Sequence, residues 1–163
     1  MSSQGSFRRG SFVDSVLQRD LAGVAVELSN GSNPDEPVDT LARTPLMHAA
    51  ISHWMDLAEL LVKCGADVNR QDSAGYTALH FAAQEYDPDM IALLLRNGAN
   101  TETEDKHGST PLAVAVFHSR GRGRVIEELV QAGANKQHRN KWGQSPMDVA
   151  ALIANYDISR FLK

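Results

Sequence analysis

Hydrophobic residues recur along the chain in short clusters at helical spacing, and polar segments rich in Gly, Asn and Asp separate these clusters. Leu79, Ala82 and Ala83 fall at i, i+3 and i+4, which is one face of a helix. A second apolar cluster, at residues 90–95, follows the break at Asp87-Pro88. The pattern therefore predicts pairs of short helices, with small alanines that let neighbouring helices approach closely.

This pairing recurs with a fixed period. Neighbouring units are 33 residues apart, and the last step is 35 residues. The period is carried by the residue that opens each first helix and by the glycine after each second helix: Thr44, Thr77, Thr110 and Ser145, then Gly65, Gly98 and Gly133. A period of this size is typical of a repeat array. We expect Thr44 and Thr110 to cap helices through their hydroxyls, and the glycines to end helices in the left-handed conformation.

The motifs at these positions resemble those of ankyrin repeats. Residues 44–46 (TPL), 77–80 (TALH), 110–112 (TPL) and 145–147 (SPM) resemble the TPLH box of that family, and residues 64–69 (CGADVN), 97–100 (NGAN) and 132–135 (AGAN) resemble its GADVN ending. The departures are local. Met47, Ala113 and Asp148 stand where the family has the histidine of the box, and Ala78 replaces its proline.

The resemblance implies an all-α ankyrin-repeat solenoid of stacked helix-turn-helix units with short β-hairpin-like turns. We expect a mobile N-terminal tail, then a degenerate N-terminal capping repeat, then four units of which the last is the C-terminal cap. The boundaries are 1–10 for the tail, 11–37 for the capping repeat, and 38–71, 72–104, 105–139 and 140–163 for the units.

Four local expectations follow from single residues. Ala42 stands where the later units have a turn glycine, so its turn should differ or be strained. Residues 32–37 contain two prolines and should be extended. The third unit has a two-residue insertion within residues 118–124, which should form a mobile arginine- and glycine-rich loop. Residues 156–163 should form a half-polar final helix that includes Tyr156.

Composition places the chain among ordinary soluble proteins, with 42% hydrophobic and 22% charged residues. We expect no membrane segment, no secretory signal and a cytoplasmic monomer, and the single Cys64 permits no internal disulfide. Residues 1–105 carry 7 Lys and Arg against 16 Asp and Glu, and residues 106–163 carry 9 against 4. In a linear array this difference predicts an acidic N-terminal end and a basic C-terminal end.

The candidate chemistry does not point to an enzyme. The six histidines are spread over different units, and no Cys or carboxylate completes a metal set at helical spacing with His48 and His53. The resemblance implies a structural hydrogen-bond role for His80 in the TPLH box. No phosphate-binding GxxxxGK or GxGxxG motif is present. We therefore predict no catalysis, no cofactor and no metal site.

The resemblance instead implies a protein-binding concave face, made of turn tips and the exposed side of the first helices. The partner-binding residues predicted there and in the insertion are Leu41, Arg43, Tyr76, Glu85, Lys106, His107, Phe117, His118, Arg120, Arg122, Arg124, Lys141 and Trp142. Exposed aromatic and arginine side chains are the types that dominate binding hot spots. The partner would be a protein with an acidic patch, and the chain an inhibitor, an immunity protein or a subunit of a complex.

A nucleic-acid-associated adaptor is the alternative function. Arg120, Arg122 and Arg124, with Lys136, Arg139 and Lys141, could neutralise phosphates at the basic end. The net charge of −4 and the lack of aromatics within the insertion weigh against this alternative.

Overall fold

The structure is a computed structural model that describes residues 11–153 and 157–163. These residues form nine α-helices and a short 3₁₀ helix, with no β-strand among them, which confirms the all-α repeat architecture. The helices are α1 (Phe12–Leu17), α2 (Leu21–Ser29), α3 (Pro45–Ile51), α4 (Met55–Lys63), α5 (Ala78–Glu85), α6 (Pro88–Arg96), α7 (Pro111–His118), α8 (Arg124–Gln131) and α9 (Pro146–Leu152), followed by the 3₁₀ helix Ser159–Leu162. The predicted tail and Tyr156 lie outside the described residues.

The helices stack in two layers. In the inner layer α5 packs between α3 and α7, and α7 also packs against α9, while α6 packs between α4 and α8 in the outer layer. Leu46, Leu79 and Leu112 hold equivalent places in the inner layer and are fully buried. Ala82 and Ala83 are also fully buried, as their spacing predicted. The core is therefore one continuous layer between the two rows of helices.

The N-terminal helices cover one end of this core. Ser11 caps α1, because its hydroxyl accepts from the N–H of Asp14 at 3.2 Å and the Asp14 carboxylate accepts from the Ser11 N–H at 3.0 Å. The guanidinium of Arg19 reaches Asp56 at the start of α4, at 2.8 Å. The connection at 32–37 is not fully extended as predicted, because the N–H of Asp35 bonds to the side chain of Asn33 and forms a turn.

Each unit opens with a tight turn of the same design. Asp39, Asp72, Asp105 and Asn140 hold equivalent positions, and one side-chain oxygen of each accepts from two backbone N–H groups of its turn. Successive turn tips are joined by backbone hydrogen bonds of 2.8–2.9 Å, which run from the N–H of Ser73, Lys106 and Lys141 to the carbonyls of Leu41, Ala74 and His107. The tips therefore form a hydrogen-bonded row along one edge of the molecule.

The first turn has the same form as the others although it lacks their glycine. Ala42 has φ 57° and its N–H bonds to the carbonyl of Asp39 at 3.1 Å, while Gly75 has φ 84° and bonds to Asp72 at 3.0 Å. An L-residue in this left-handed region costs about 1–2 kcal/mol. Of the two outcomes predicted for Ala42, strain is therefore what the structure shows.

The described C-terminal end is helical, as predicted, only over Ser159–Leu162. The chain after α9 ends in the 3₁₀ helix, in which Leu162 is buried. A Cβ atom at position 123 would clash with the ring of Phe161, so Gly123 allows this ring to pack against the loop between α7 and α8. The C-terminal cap therefore covers the insertion of the third unit.

Candidate partner-binding surface

Three of the four inner helices begin with a reciprocal capping box. The hydroxyls of Thr44, Thr77 and Ser145 accept from the backbone N–H three residues on, and the side chain at that third position accepts from the N–H of the cap. The acceptor is the sulfur of Met47, Nδ1 of His80 or a carboxylate oxygen of Asp148, at 3.4, 3.2 and 2.9 Å from the cap nitrogen. Three different chemical groups therefore serve the same position.

His80 also joins two repeats. Its Nδ1 faces the N–H of Thr77 and must accept, so Nε2 carries the proton and donates to the carbonyl of Ser109 at 3.1 Å. The side chain is fully buried, and this burial lowers the pKa of His80, although the Ser109 carbonyl and nearby carboxylates act in the opposite direction. His80 therefore lies neutral in a structural hydrogen-bond network.

The third unit lacks this box. Ala113 occupies the position of His80 and has no side-chain acceptor, so nothing holds the Thr110 hydroxyl above the helix end. Thr110 makes no side-chain cap hydrogen bond, and its buried Oγ1 has no partner in the described part of the chain. The prediction that Thr110 caps its helix through its hydroxyl is therefore wrong.

The residue before each cap varies in size, and this variation shapes the surface. Arg43 places its guanidinium carbon 5.7 Å from the ring centroid of Phe81, in the next repeat. Tyr76, one repeat later, packs its ring 5.0 Å from His80 and 5.1 Å from Phe81. Ser109 is the equivalent residue of the third unit and is too small to fill the same space.

Two small residues, Ser109 and Ala113, therefore leave a pocket of about 310 Å³ between the turns and inner helices of the second to fourth units. We call it the inner pocket; its lining is Tyr76, Asp105, His107, Ser109, Ala113, Val114, Phe117, His118, Asn140, Trp142, Gln144 and Val149. It lies on the surface that the resemblance assigns to the concave face. Phe117 is 70% exposed and Trp142 65% exposed, so both present their rings to solvent.

Aromatic contacts order the rim of the inner pocket. Trp142 stacks on His107 with ring centroids 5.1 Å apart, and Phe117 meets His118 edge-on at 5.2 Å. His107 and Trp142 occupy neighbouring turn tips, whose backbones are hydrogen-bonded through the N–H of Lys141. The rim is therefore built from residues of two repeats that are held in register.

The charge of the lining is negative. Asp105 is its only carboxylate, and the lining contains no lysine or arginine. Oδ1 of Asp105 accepts from the N–H groups of His107 and Ser109, both at 2.8 Å, whereas Oδ2 accepts no hydrogen bond from the residues that the structure describes. Burial first, and then the charges of Asp105 and Asp72, raise the pKa of Tyr76. Burial lowers the pKa of His118, which is therefore neutral at pH 7.

The structure brings five of the predicted binding residues together at the inner pocket: Tyr76, His107, Phe117, His118 and Trp142. Leu41, Lys106 and Lys141 lie on exposed turn tips along the same edge, and Arg43 lies in the first turn beside Asp39. Glu85 ends α5, and its charge acts on His118. Tyr76 is partly buried, since its ring packs against Phe81 of the helix that follows it.

The arginines of the insertion do not line the inner pocket. Arg122 lies over the ring of Tyr86, with its guanidinium carbon 4.0 Å from the centroid, and its carbonyl accepts from the Tyr86 hydroxyl. Arg124 pairs with Asp89 at 3.3 Å and Glu128 at 3.1 Å. Arg120 is exposed beside them. The predicted mobile loop is thus anchored by Tyr86 and by the packing of Phe161 on Gly123.

The sequence interpretation missed the lining residues that create the space. Asp105, Asn140 and the small residue Ala113 were not among the predicted binding residues. Comparing equivalent positions across repeats would have found the space, because the row Arg43, Tyr76, Ser109, Gln144 and the row Met47, His80, Ala113, Asp148 both reach their smallest member in the third unit.

Two searches of the described residues found no other kind of site. In residues 11–153 and 157–163, no group of three or more His, Cys, Asp or Glu side chains is placed to hold a metal ion. The helices found in the same residues are too short or too polar to span a membrane.

Comparison with known sequences places these features in a family. A family model described as ankyrin repeats in three copies matches residues 16–105, 46–140 and 80–163, and ankyrin repeats are generally protein–protein interaction modules. Inversin of Gallus gallus is 43% identical over 53 residues, 32% of this chain and 5% of that protein. Inversin of Homo sapiens is 48% identical over 42 residues, 26% of this chain and 4% of that protein. Since the family model matches most of its length, the chain belongs to the ankyrin-repeat family.

Proposed function

We propose that this chain binds a partner protein through the concave face, with the inner pocket at the centre of the contact. The observation that carries the proposal is the pair of exposed rings, Phe117 and Trp142, at the rim of a pocket whose lining includes the buried Asp105 and Val114. Large exposed apolar side chains are costly to leave in water, and aromatic anchors dominate binding energies at protein interfaces.

The surface around the inner pocket suits a protein rather than a free small molecule. Leu41, Lys106 and Lys141 extend the contact along the hydrogen-bonded row of turn tips. A row of this kind presents side chains at regular intervals on a rigid support, which lowers the entropy lost on binding. The ankyrin fold is typically non-enzymatic, and binding itself would be the activity, in an inhibitor, an immunity protein or a subunit of a complex.

The basic C-terminal end has a second role in this proposal. Residues 106–163 carry a charge balance of +5, and Arg120 lies exposed there. An acidic patch on the partner would be attracted to this end, and rim charges act mainly on the association rate. We expect association to slow as salt shortens the screening length to about 8 Å near physiological ionic strength.

The test compares two double variants as immobilised baits. Phe117→Ala/Trp142→Ala removes the rim rings, and Leu17→Ala/Val26→Ala removes two exposed apolar side chains of the N-terminal helices, 48% and 49% exposed, as a matched control. A partner identified by mass spectrometry should be retained by the wild type and the control and lost by the rim variant. Calorimetry with the purified partner should then show an affinity loss of at least about tenfold, or 1.4 kcal/mol.

Two results would contradict the proposal. Equal affinity of the rim variant and the control would move the binding surface away from the concave face. Retention of nucleic acid of arbitrary sequence, with no protein lost by the rim variant, would favour the adaptor alternative.

A further inference from the structure

We propose that the inner pocket receives the guanidinium group of an arginine from the partner protein, which stacks on the rim rings and pairs with Asp105. This inference rests on the proposed function and specifies the chemistry of the side chain that is bound. It is carried by a comparison of equivalent positions within the chain itself.

The first repeat shows the same kind of site already occupied. Asp39 is the equivalent of Asp105, and its Oδ2 lies 3.5 Å from Nε of Arg43 and 3.2 Å from Nε2 of His48. The guanidinium of Arg43 also lies over the ring of Phe81, at 5.7 Å. A carboxylate of the turn, a guanidinium and an aromatic ring therefore meet on this surface of the molecule.

In the third unit the carboxylate remains and other rings, Phe117 and Trp142, stand near it, but the cation is absent. Ser109 replaces Arg43 and Val114 replaces His48, so neither residue can pair with Asp105. Its Oδ2 accepts no hydrogen bond from the described residues, and no lysine or arginine lines the inner pocket. A cation from outside the chain would supply the partner that Asp39 finds within it.

The rings of the lining favour arginine over lysine, although they stand at other positions than Phe81, whose equivalent in the fourth unit is Val149. The guanidinium is planar and weakly hydrated, so it stacks on aromatic faces, whereas the ammonium of lysine is compact and strongly hydrated. Trp142, Phe117 and Tyr76 supply three such faces around the space. The combination of stacking and a carboxylate is the arrangement that Arg43 makes with Phe81 and Asp39.

An apolar side chain fits the lining less well. It would cover Asp105 without pairing its free oxygen, and burial of an unpaired carboxylate is costly. The charges of Asp105 and Asp72 also contribute to the raised pKa of Tyr76, which reports a negative potential at this wall. Both features favour a cationic occupant.

The first experiment uses short Gly/Ser peptides with one central arginine, citrulline or leucine. Citrulline has the shape of arginine without its charge. Nuclear magnetic resonance should show that the arginine peptide shifts the Trp142 indole and the Ser109 amide in a saturable way. Citrulline and leucine should bind at least about tenfold more weakly, a difference of about 1.4 kcal/mol.

The second experiment changes the protein. Asp105→Asn removes the charge and keeps the turn, because Asn140 makes the same two backbone hydrogen bonds in the fourth unit, both at 3.0 Å. Asp39→Asn is the matched control, since it makes the same change in a turn outside the lining. Arginine-peptide affinity should fall about tenfold in the first variant and change little in the control. Ser109→Arg supplies an internal guanidinium and should abolish binding.

Each contrary result is informative. A leucine peptide that binds more tightly than the arginine peptide, or the absence of saturable shifts with any peptide, overturns the inference. So does unchanged arginine-peptide binding in Ser109→Arg. If the rim variant loses the captured partner while Asp105→Asn and Ser109→Arg keep it, the proposed function stands and the arginine site fails; if the rim variant also keeps it, both fail.

Discussion

The interfaces among the first three repeats and the interface between the third and fourth repeats are linked by the same backbone hydrogen bonds between turn tips, but their surfaces are opposite. The interfaces among the first three repeats are closed by the chain's own side chains: Arg43 lies over Phe81 between the first and second repeats, and His80 bonds to Ser109 between the second and third. The interface between the third and fourth repeats is open, because Ser109 and Ala113 leave the inner pocket. The comparison shows that the repeat fixes the shape of the scaffold, while two small residues determine where its surface opens into a pocket.

The strongest way to break this comparison is to open the closed interface between the second and third repeats. His80→Ala removes a fully buried ring and its hydrogen bonds to Thr77 and Ser109, and we expect a loss of about 2–4 kcal/mol in the free energy of unfolding. Urea denaturation measures this loss. A change below about 0.5 kcal/mol in the free energy of unfolding is typical of an ordinary surface substitution. Such a result would mean that the capping box of Thr77 and His80 contributes little to stability.

The next effect concerns binding at the open interface. Trp142→Ala should weaken the partner complex by about 1–3 kcal/mol if the ring is a hot spot, and leave the melting temperature unchanged because the side chain is 65% exposed. Tyr76→Ala should weaken the partner complex and also lower the melting temperature, since the Tyr76 ring packs on Phe81 at 5.1 Å. Calorimetry and thermal unfolding separate the two effects. Unchanged affinity in both variants would exclude the inner pocket as the partner-binding site.

Closing the open interface should stabilise the chain. Ala113→His places an acceptor beside the N–H of Thr110 and a donor towards the carbonyl of Gln144, as His80 does with Thr77 and Ser109. We expect a gain of about 1 kcal/mol in the free energy of unfolding. Affinity for the partner should fall in the same variant. A destabilised protein would show that the third unit cannot accommodate the ring.

The pH dependence of stability gives a smaller test of the closed interface between the second and third repeats. Burial lowers the pKa of His80 below its ordinary value of 6.5, so the unfolded chain binds the proton more readily than the folded chain. The stability contributed by neutral His80 is therefore present above pH 6.5 and is lost as pH falls towards the folded pKa. His80→Met places at this position the residue that the first repeat has, Met47. This variant should show a smaller change of melting temperature with pH between about pH 7.5 and 5.5. An unchanged slope would assign the effect to other groups.

The smallest effect concerns the turns that both interfaces share. Ala42→Gly removes the strain of the left-handed conformation but adds freedom to the unfolded chain, so we expect a net gain of about 0.5 kcal/mol. The opposite change, Gly75→Ala, should destabilise the protein, because its Cβ would lie 2.9 Å from the Cα of Asp105. Urea denaturation measures both effects. If both variants were as stable as the wild type, the left-handed conformation at these turns would not be strained for alanine.

The fold was predictable because its signals are local and repeated. The spacing of Leu79, Ala82 and Ala83 and the 33-residue period predicted helix pairs that the structure contains. The inner pocket was not predictable from any single unit, because it depends on volume missing from two positions at once. The insertion was misjudged for a related reason: the contact that anchors Arg122 comes from Tyr86, which lies 36 residues away in the sequence.

The hydrogen-bonded row of turn tips has a consequence for how this surface can change over evolution. Its links run between backbone groups of Ser73 and Leu41, Lys106 and Ala74, and Lys141 and His107, so they do not depend on which side chains these residues carry. The tips can be exchanged one at a time without altering the spacing of their neighbours. A new binding specificity therefore requires only substitutions at the turn tips. If a partner changes, single substitutions can adapt this surface to it while the backbone of the row stays the same.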